Sequence, residues 1–137
     1  MKNLEAIKVI IYLKNTELSN QISSLFEQMG ADILKIETQN KFKNLKQNNL
    51  NLFYQIELSD ILITDKTELK YTETSNINPQ LVFCLLDIEN TIPTQKQGCL
   101  TFSLRIVNLI LSSLFGRARN GKGQFINILS SDIENLI

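Results

Sequence analysis

The strongest constraint on the fold comes from short apolar runs that carry almost no charge. Residues 7–13 (IKVIIYL), 60–64 (DILIT) and 81–86 (LVFCLL) are such runs, and the first two are rich in β-branched side chains. Runs of this length and composition are typical of strands buried on both faces of a parallel sheet. Residues 32–37 and 99–102 are shorter apolar segments, which we predict as the second and fifth strands.

Helical periodicity appears between and after these runs. Thr16 is the predicted N-cap of the first helix, and Gly30 is its predicted left-handed stop. The segments 66–80 and 87–97 are mostly polar, so we predict loops there, the first with at most a short helix. Apolar side chains recur at helical spacing in three segments, which we predict as helices: residues 17–29, 41–58 and 103–115.

This alternation of strands and helices predicts an α/β fold with right-handed crossovers. We expect a flavodoxin-like three-layer sandwich with a five-stranded, mostly parallel sheet in the order 2-1-3-4-5 and some crossover helices reduced to loops. Residues 1–116 are predicted to form this domain. Residues 117–137 are predicted to be a linker and an apolar tail, which either packs on the domain or opens a following one.

Composition excludes several kinds of chemistry. The 137 residues include no histidine, which rules out a Ser-His-Asp unit, a histidine-ligated metal and a phosphohistidine step within this chain. The 14 basic and 14 acidic residues balance, so charge gives no reason to expect nucleic acid or direct membrane contact. Cys84 and Cys99 lie in apolar segments and are expected to be buried thiols in a reducing compartment.

The ends of the predicted strands give no sign of a cofactor. In a doubly wound sheet the site lies at the carboxyl ends of the strands. The segment after the first strand reads LKNTEL and has no glycine, so it does not predict a phosphate-binding loop. We therefore expect no cofactor and no bound metal.

The order of segments resembles the receiver domain of two-component signalling over about residues 8–116. Asp65 ends the third strand, where that family carries its phosphoacceptor aspartate. The segment 30–33 (GADI) resembles the usual entry to the second strand. The segment 99–105 (CLTFSLR) resembles the segment that precedes the last helix of receivers.

The departures from the receiver pattern are equally specific. Leu13 and Lys14 occupy the positions of the acidic pair that holds Mg²⁺ in receivers. Phe102 aligns with the family's lysine and Ser103 with its proline. Asp65 thus keeps the acceptor position without its supporting residues, since aspartyl phosphorylation needs a cation to neutralise the developing charge. A strand-end aspartate that caps a turn or pairs with a lysine is the alternative interpretation.

This pattern resembles the pseudo-receiver (α/β/loop-type) domains of hybrid sensor histidine kinases of the BarA/GacS or RcsC sort. The resemblance implies a module with no enzymatic activity that contacts other domains of the same kinase, either the ATPase core or the true receiver. A second copy of the chain is a further expected partner. The alternatives are a divergent receiver that is phosphorylated on Asp65 and a free-standing α/β protein-interaction domain.

The predicted last helix is apolar nearly all round, beyond the stripe of roughly 100° that packing on a sheet requires. Ile106 and Leu109 exceed that stripe and are predicted to form a partner surface, unless residues 125–128 fold back over them. We expect a cytoplasmic location, either of the whole protein or of the cytoplasmic part of an inner-membrane protein. This expectation rests on the absence of a signal-peptide core and of a membrane-spanning apolar run.

Overall fold

The computed structural model describes residues 4–36, 52, 54–87 and 96–129. Its five strands form one sheet in the order β2-β1-β3-β4-β5, and every neighbouring pair is parallel. This confirms the predicted flavodoxin-like α/β fold. The strands are β1 Lys8–Tyr12, β2 Asp32–Lys35, β3 Ile61–Thr64, β4 Val82–Asp87 and β5 Phe125–Leu129.

The central strands are buried because both of their faces carry apolar side chains. In β3 all four residues are buried. Alternate residues point to opposite faces of a strand, so Ile61 and Ile63 join one core cluster whereas Leu62 joins the other. The first cluster also contains residues of two long helices, and the second contains Leu52 and Ile56. The sheet therefore lies between two covering layers.

Helix α1 spans Thr16–Gln28 and packs on the first cluster through Leu18, Ile22 and Phe26. Its N-cap is Asn15, whose Oδ1 accepts a hydrogen bond from the backbone N–H of Leu18 at 2.9 Å. The prediction of Thr16 as the cap was wrong by one residue. Asparagine and threonine both cap well, and the sequence contains them side by side. The predicted left-handed stop is confirmed, since Gly30 has a φ of 91°.

The predicted fifth strand is wrong. Residues 99–102 lie inside helix α3, Lys96–Asn120, and β5 is formed instead by residues from the predicted tail. Cys99, Phe102, Ile106 and Ile110 are spaced three or four residues apart and are all buried in the first cluster. That spacing is helical, and an apolar run of four residues is too short to distinguish a strand from part of a buried helix.

The remaining segments agree in part with the sequence predictions. Helix α2, Tyr71–Ile77, lies within the segment predicted as a loop with at most a short helix. Residues 54–58 are helical, as predicted for the end of the 41–58 helix, but residues 41–51 and 53 of that prediction lie outside the described residues. Most of the predicted loop 87–97 also lies outside them.

Strand β5 extends the domain beyond the predicted boundary at residue 116. It pairs with β4 from Phe83↔Phe125 to Asp87↔Leu129. Packing on the domain was one of the two alternatives for the tail, and residues 125–129 take that role. Gly123 allows the close approach before β5, because a Cβ there would overlap the carbonyl oxygen of Leu81. Its N–H donates to the carbonyl of Pro79 at 2.9 Å.

Helix α3 contains the segment Cys99–Asn120, whose 22 residues are long and apolar enough to cross a membrane by length and composition alone. The segment is not an uninterrupted apolar run, because polar residues such as Arg105 and Asn108 lie within it. One face of the helix is buried in the core, where Phe102, Ile106 and Ile110 are at most 1% exposed. The buried face of this segment is therefore part of the first core cluster.

Candidate functional site

The carboxyl ends of β1 and β3 lie side by side, since Tyr12 pairs with Thr64 at the end of the two strands. Leu13 and Lys14 follow β1, and Asp65 and Lys66 follow β3. The structure therefore brings together three of the residues that the sequence singled out, namely Leu13, Lys14 and Asp65. We call this group, together with Lys66 and Tyr12, the carboxyl-edge cluster.

Both carboxylate oxygens of Asp65 face partners in this cluster. Oδ2 accepts a hydrogen bond from the backbone N–H of Lys14 at 2.9 Å. Oδ1 lies 3.3 Å from the ammonium nitrogen of Lys66. This separation makes an ion pair, although Oδ1 is buried and makes no hydrogen bond within the described part of the chain. Asp65 thus ties the start of one loop to the cation of the next residue.

Lys66 is unusually buried for a lysine, with its side chain 10% exposed. Its ammonium nitrogen lies 5.4 Å from the centre of the Tyr12 ring, within the range of a cation–π contact. Its backbone N–H donates to Oγ1 of Thr64 at 3.0 Å. Lys66 is therefore held between the carboxylate and the aromatic face.

Burial raises the pKa of the Tyr12 phenol, and the negative charges of Glu68 and Asp65 raise it further. The hydroxyl is therefore neutral at physiological pH. It supplies no phenolate that could act as a nucleophile or as a metal ligand.

The cluster offers little for metal-dependent phosphoryl transfer. Opposite Asp65 stand Leu13, which is 6% exposed, and Lys14, whose side chain is exposed. Neither provides a carboxylate oxygen for a hard divalent cation. Within residues 4–36, 52, 54–87 and 96–129 no group of three or more potential ligands lies together. The carboxylate of Asp65 acts here as a cap and an ion-pair partner, which is the alternative interpretation of a strand-end aspartate.

Two further predicted receiver positions lie within helix α3 and not at the end of a strand. Phe102 belongs to the first core cluster and is 1% exposed, and Ser103 is also buried. The hydroxyl of Ser103 donates to the Cys99 carbonyl at 2.8 Å and lies 3.1 Å from Oε1 of Gln21. The alignment of Phe102 with the lysine of receivers and of Ser103 with their proline depended on a strand at 99–102. Because that segment is helical, the alignment is wrong.

The predicted partner surface is half wrong. Ile106 of α3 is completely buried in the first core cluster, because it lies on the same helical face as Phe102 and Ile110. Leu109 is 39% exposed, as predicted. The more exposed apolar residues of the helix were missed, although their spacing of four and eleven residues, which places them on one helical face, was a usable signal: Leu100, Leu104 and Phe115.

The amino ends of the same strands carry a second cluster, built around one carboxylate, that the sequence did not reveal. Oδ2 of Asp60 accepts a hydrogen bond from the N–H of Lys8 at 2.9 Å, and its Oδ1 lies 3.0 Å from Nη1 of Arg117. The same Nη1 donates to the carbonyl of Gln80 at 3.2 Å. We call Asp60, Lys8, Arg117 and Gln80 the amino-edge cluster. Arg117 lies 57 residues from Asp60, a separation at which sequence gives no pairing signal.

Both cysteines are free and buried, as expected. Burial raises the pKa of the Cys84 thiol to about 12. Burial also raises the pKa of Cys99, with a smaller contribution from Glu17. Neither thiol is ionised at physiological pH, so neither has the thiolate character of a reactive cysteine.

Comparison with known proteins supports the fold and goes no further. No protein-family model and no curated protein matches the sequence. The crystal structure of Rv3272 from M. tuberculosis, orthorhombic form, is similar, with a TM-score of 0.79 and 12% sequence identity. The match covers 97% of this chain and 54% of that chain, so the present chain spans about half the length of the structure that it resembles. At this identity the similarity concerns the fold alone.

Proposed function

We propose that this chain is a non-catalytic, receiver-like α/β module that acts by contact with another protein or domain. The observation that carries the proposal is the state of Asp65. Its oxygens face the backbone N–H of Lys14 and the ammonium of Lys66, and neither of the two residues directly after β1 is acidic. The carboxylate that a receiver would present to a phosphoryl donor is used here to fasten two loops.

We further propose that the module belongs to two-component signalling. This part of the proposal is supported by the strand order 2-1-3-4-5 and by an aspartate at the end of β3. In this setting the partners are the ATPase core or the true receiver of a hybrid sensor histidine kinase, and the module lies in the cytoplasm. The proposed role is to position those domains.

Beryllofluoride with Mg²⁺, and separately acetyl phosphate with Mg²⁺, test the non-catalytic part. We expect no shift of backbone amide resonances near Asp65 and no mass increase of a phosphoryl group. Asp65→Asn is the matched control, because it keeps the shape of the side chain and removes the acceptor oxygen. An adduct on the wild-type chain that Asp65→Asn abolishes would instead establish a divergent, phosphorylatable receiver.

A free-standing interaction domain outside two-component signalling is the second candidate. It is favoured by the helical state of residues 99–102, which removes the strand-five matches on which the receiver resemblance partly relied. The adjoining coding sequence distinguishes the two candidates. A histidine-kinase ATPase domain in the same reading frame supports the receiver-like module, and an unrelated reading frame supports the free-standing domain.

A further inference from the structure

Helix α3 exposes a narrow row of apolar side chains on its outer face. Leu100, Leu104 and Phe115 are 43%, 44% and 72% exposed. Leu111 lies between Leu104 and Phe115 and is half-buried. Their spacing of four, seven and four residues places them within an arc of about 60°. Over 15 residues this row is about 22 Å long. We call these four residues the α3 seam.

Three of the four seam residues, Leu100, Leu104 and Phe115, do not belong to the core, whereas the partly buried Leu111 also packs against the first core cluster. Helix α3 already buries Phe102, Ile106 and Ile110 on the opposite side, against α1 and the sheet. Exposed large side chains aligned along a helix are unfavourable in water unless another surface covers them. A row this narrow and this long has the dimensions of the contact line between two packed helices.

Charge narrows the choice of partner. Between residues 96 and 129 the sequence has five basic residues and no acidic one, whereas the whole chain is neutral. Arg117 is already paired with Asp60 in the amino-edge cluster. Arg105 and Arg119 are exposed, one residue beyond Leu104 and four beyond Phe115, and so flank the seam on one side. A partner that covers the seam therefore meets positive charge along its rim.

We propose that the α3 seam binds an amphipathic helix of a partner protein whose apolar face is bordered by acidic residues. This inference rests on the proposed contact function and names the chemistry of the partner. A second copy of the chain fits less well, because α3 has basic residues and no acidic residue, so a pairing of two α3 helices brings like charges together. A membrane surface also fits less well, since a helix that lies in a bilayer interface needs a wider apolar face.

Two synthetic 21-residue helices with the same leucine face test the proposal, one with glutamate and one with lysine at the flanking positions. Fluorescence anisotropy with the full chain should show that the glutamate peptide binds about fivefold more tightly, as two opposed charge pairs predict. The double variant Leu104→Gln/Phe115→Gln should lose this binding. Leu109→Gln is the matched control, since it changes a leucine of similar exposure on the other side of the same helix.

Charge reversal provides the second arm. In Arg105→Glu/Arg119→Glu the preference should switch to the lysine peptide, and circular dichroism should show an unchanged fold because both arginines are exposed. Three results would overturn the proposal: equal binding of the two peptides, binding that survives Leu104→Gln/Phe115→Gln, or no binding of either peptide. A concentration-dependent dimer that the seam variant abolishes would assign the seam to a second copy. Binding to phosphatidylglycerol vesicles in place of the peptide would assign it to a membrane.

The peptide measurements and the beryllofluoride measurement examine separate parts of the chain. An adduct on Asp65 together with selective peptide binding would overturn the non-catalytic function and leave the seam proposal standing. No adduct on Asp65 together with no selective peptide binding would overturn the seam proposal alone.

Discussion

The two ends of strand β3 carry carboxylates with matching contacts and different reach. Asp60 precedes the strand and Asp65 follows it. Each accepts a hydrogen bond of 2.9 Å from a backbone N–H at the corresponding end of β1, and each pairs with a cation through its other oxygen. The cation at Asp60 is Arg117 from α3, whereas the cation at Asp65 is the adjacent residue Lys66.

This difference separates a long-range connection from a local one. The amino-edge cluster joins β1, β3, the entry to β4 and the end of α3, so it restricts elements that are far apart in sequence. The carboxyl-edge cluster joins only two loops that β1 and β3 already hold side by side. We therefore expect the amino edge to contribute more to stability than the edge where α/β folds place their sites.

The largest effect is expected from Gly123→Ala at the amino edge. The added Cβ would overlap the carbonyl oxygen of Leu81 and approach the carbonyl carbon of Gln80, which are backbone atoms and cannot rotate away. We expect a loss of about 3 kcal/mol in the free energy of unfolding, typical of severe overpacking. Urea denaturation followed by circular dichroism measures it.

Gly121→Ala is the control for that substitution. Gly121 has a φ of 74°, and an added Cβ would find no atom of the described residues within 4 Å, so alanine there meets backbone strain without overlap. A cost of about 1 kcal/mol is expected for this left-handed residue. If both variants lost the same stability, the close approach of Gly123 to β4 would not be the cause.

Asp60→Ala is expected to rank second. It leaves the N–H of Lys8 without its acceptor and Arg117 without its counter-ion, which together cost about 2 kcal/mol after allowance for the partial exposure of the pair. Thermal unfolding should show this loss. Arg117→Met keeps much of the side-chain bulk and removes only the charge and donors, so it should cost less than Asp60→Ala. A neutral Asp60→Ala variant would contradict the long-range role of the amino-edge cluster.

Asp65→Ala is expected to cost less, about 1 kcal/mol, because the lost contacts are one capping hydrogen bond and a pair between adjacent residues, and the long Lys66 side chain can turn its ammonium to solvent once the carboxylate is gone. The same unfolding measurement applies. A loss at Asp65 greater than that at Asp60 would reverse the ranking of the two edges. It would also indicate that the burial of Lys66 depends on its carboxylate more strongly than the distances suggest.

The sequence predicted the parts of this fold that local pattern determines. Strands β1, β3 and β4 follow from uninterrupted apolar runs, and the parallel arrangement of the strands follows from the alternation with helices. Cys99 and Phe102 were misassigned because a mostly apolar segment of four residues has no visible period of its own. The strand at 125–129 was not predicted as part of the sheet, since its pairing with β4 depends on tertiary contact.

The candidate site was predictable to the same extent. Asp65 could be placed at the end of β3, and its neighbours Leu13 and Lys14 at the end of β1, because parallel strands bring their carboxyl ends to one edge. That the contact uses the backbone of Lys14 and the ammonium of Lys66 could not be deduced, since side-chain direction depends on loop geometry. Arg117 could not be paired with Asp60 because the two residues are far apart along the chain.

The smallest expected effect is a change in the pKa of Tyr12, which depends on the charge of Asp65 and not on that of Asp60. Asp65 and Glu68 raise the pKa of Tyr12, with Glu68 the larger of the two after burial. Asp65→Asn should therefore lower that pKa, Glu68→Gln should lower it more, and Asp60→Asn at the other end of β3 should leave it unchanged. Ultraviolet absorbance of the phenolate follows the titration, with Tyr12→Phe identifying its contribution among the three tyrosines.

The same shift has a consequence for stability at high pH. A phenol whose pKa is raised in the folded state stays protonated while the unfolded chain ionises, so stability falls as pH rises above about 10, the ordinary tyrosine value. In Asp65→Asn this loss should be smaller, because the folded and unfolded pKa values lie closer together. Urea denaturation at successive pH values, compared between wild type, Asp65→Asn and Asp60→Asn, measures it. An equal pH dependence in Asp65→Asn and Asp60→Asn would show that the two ends of β3 do not differ in their electrostatic coupling to Tyr12.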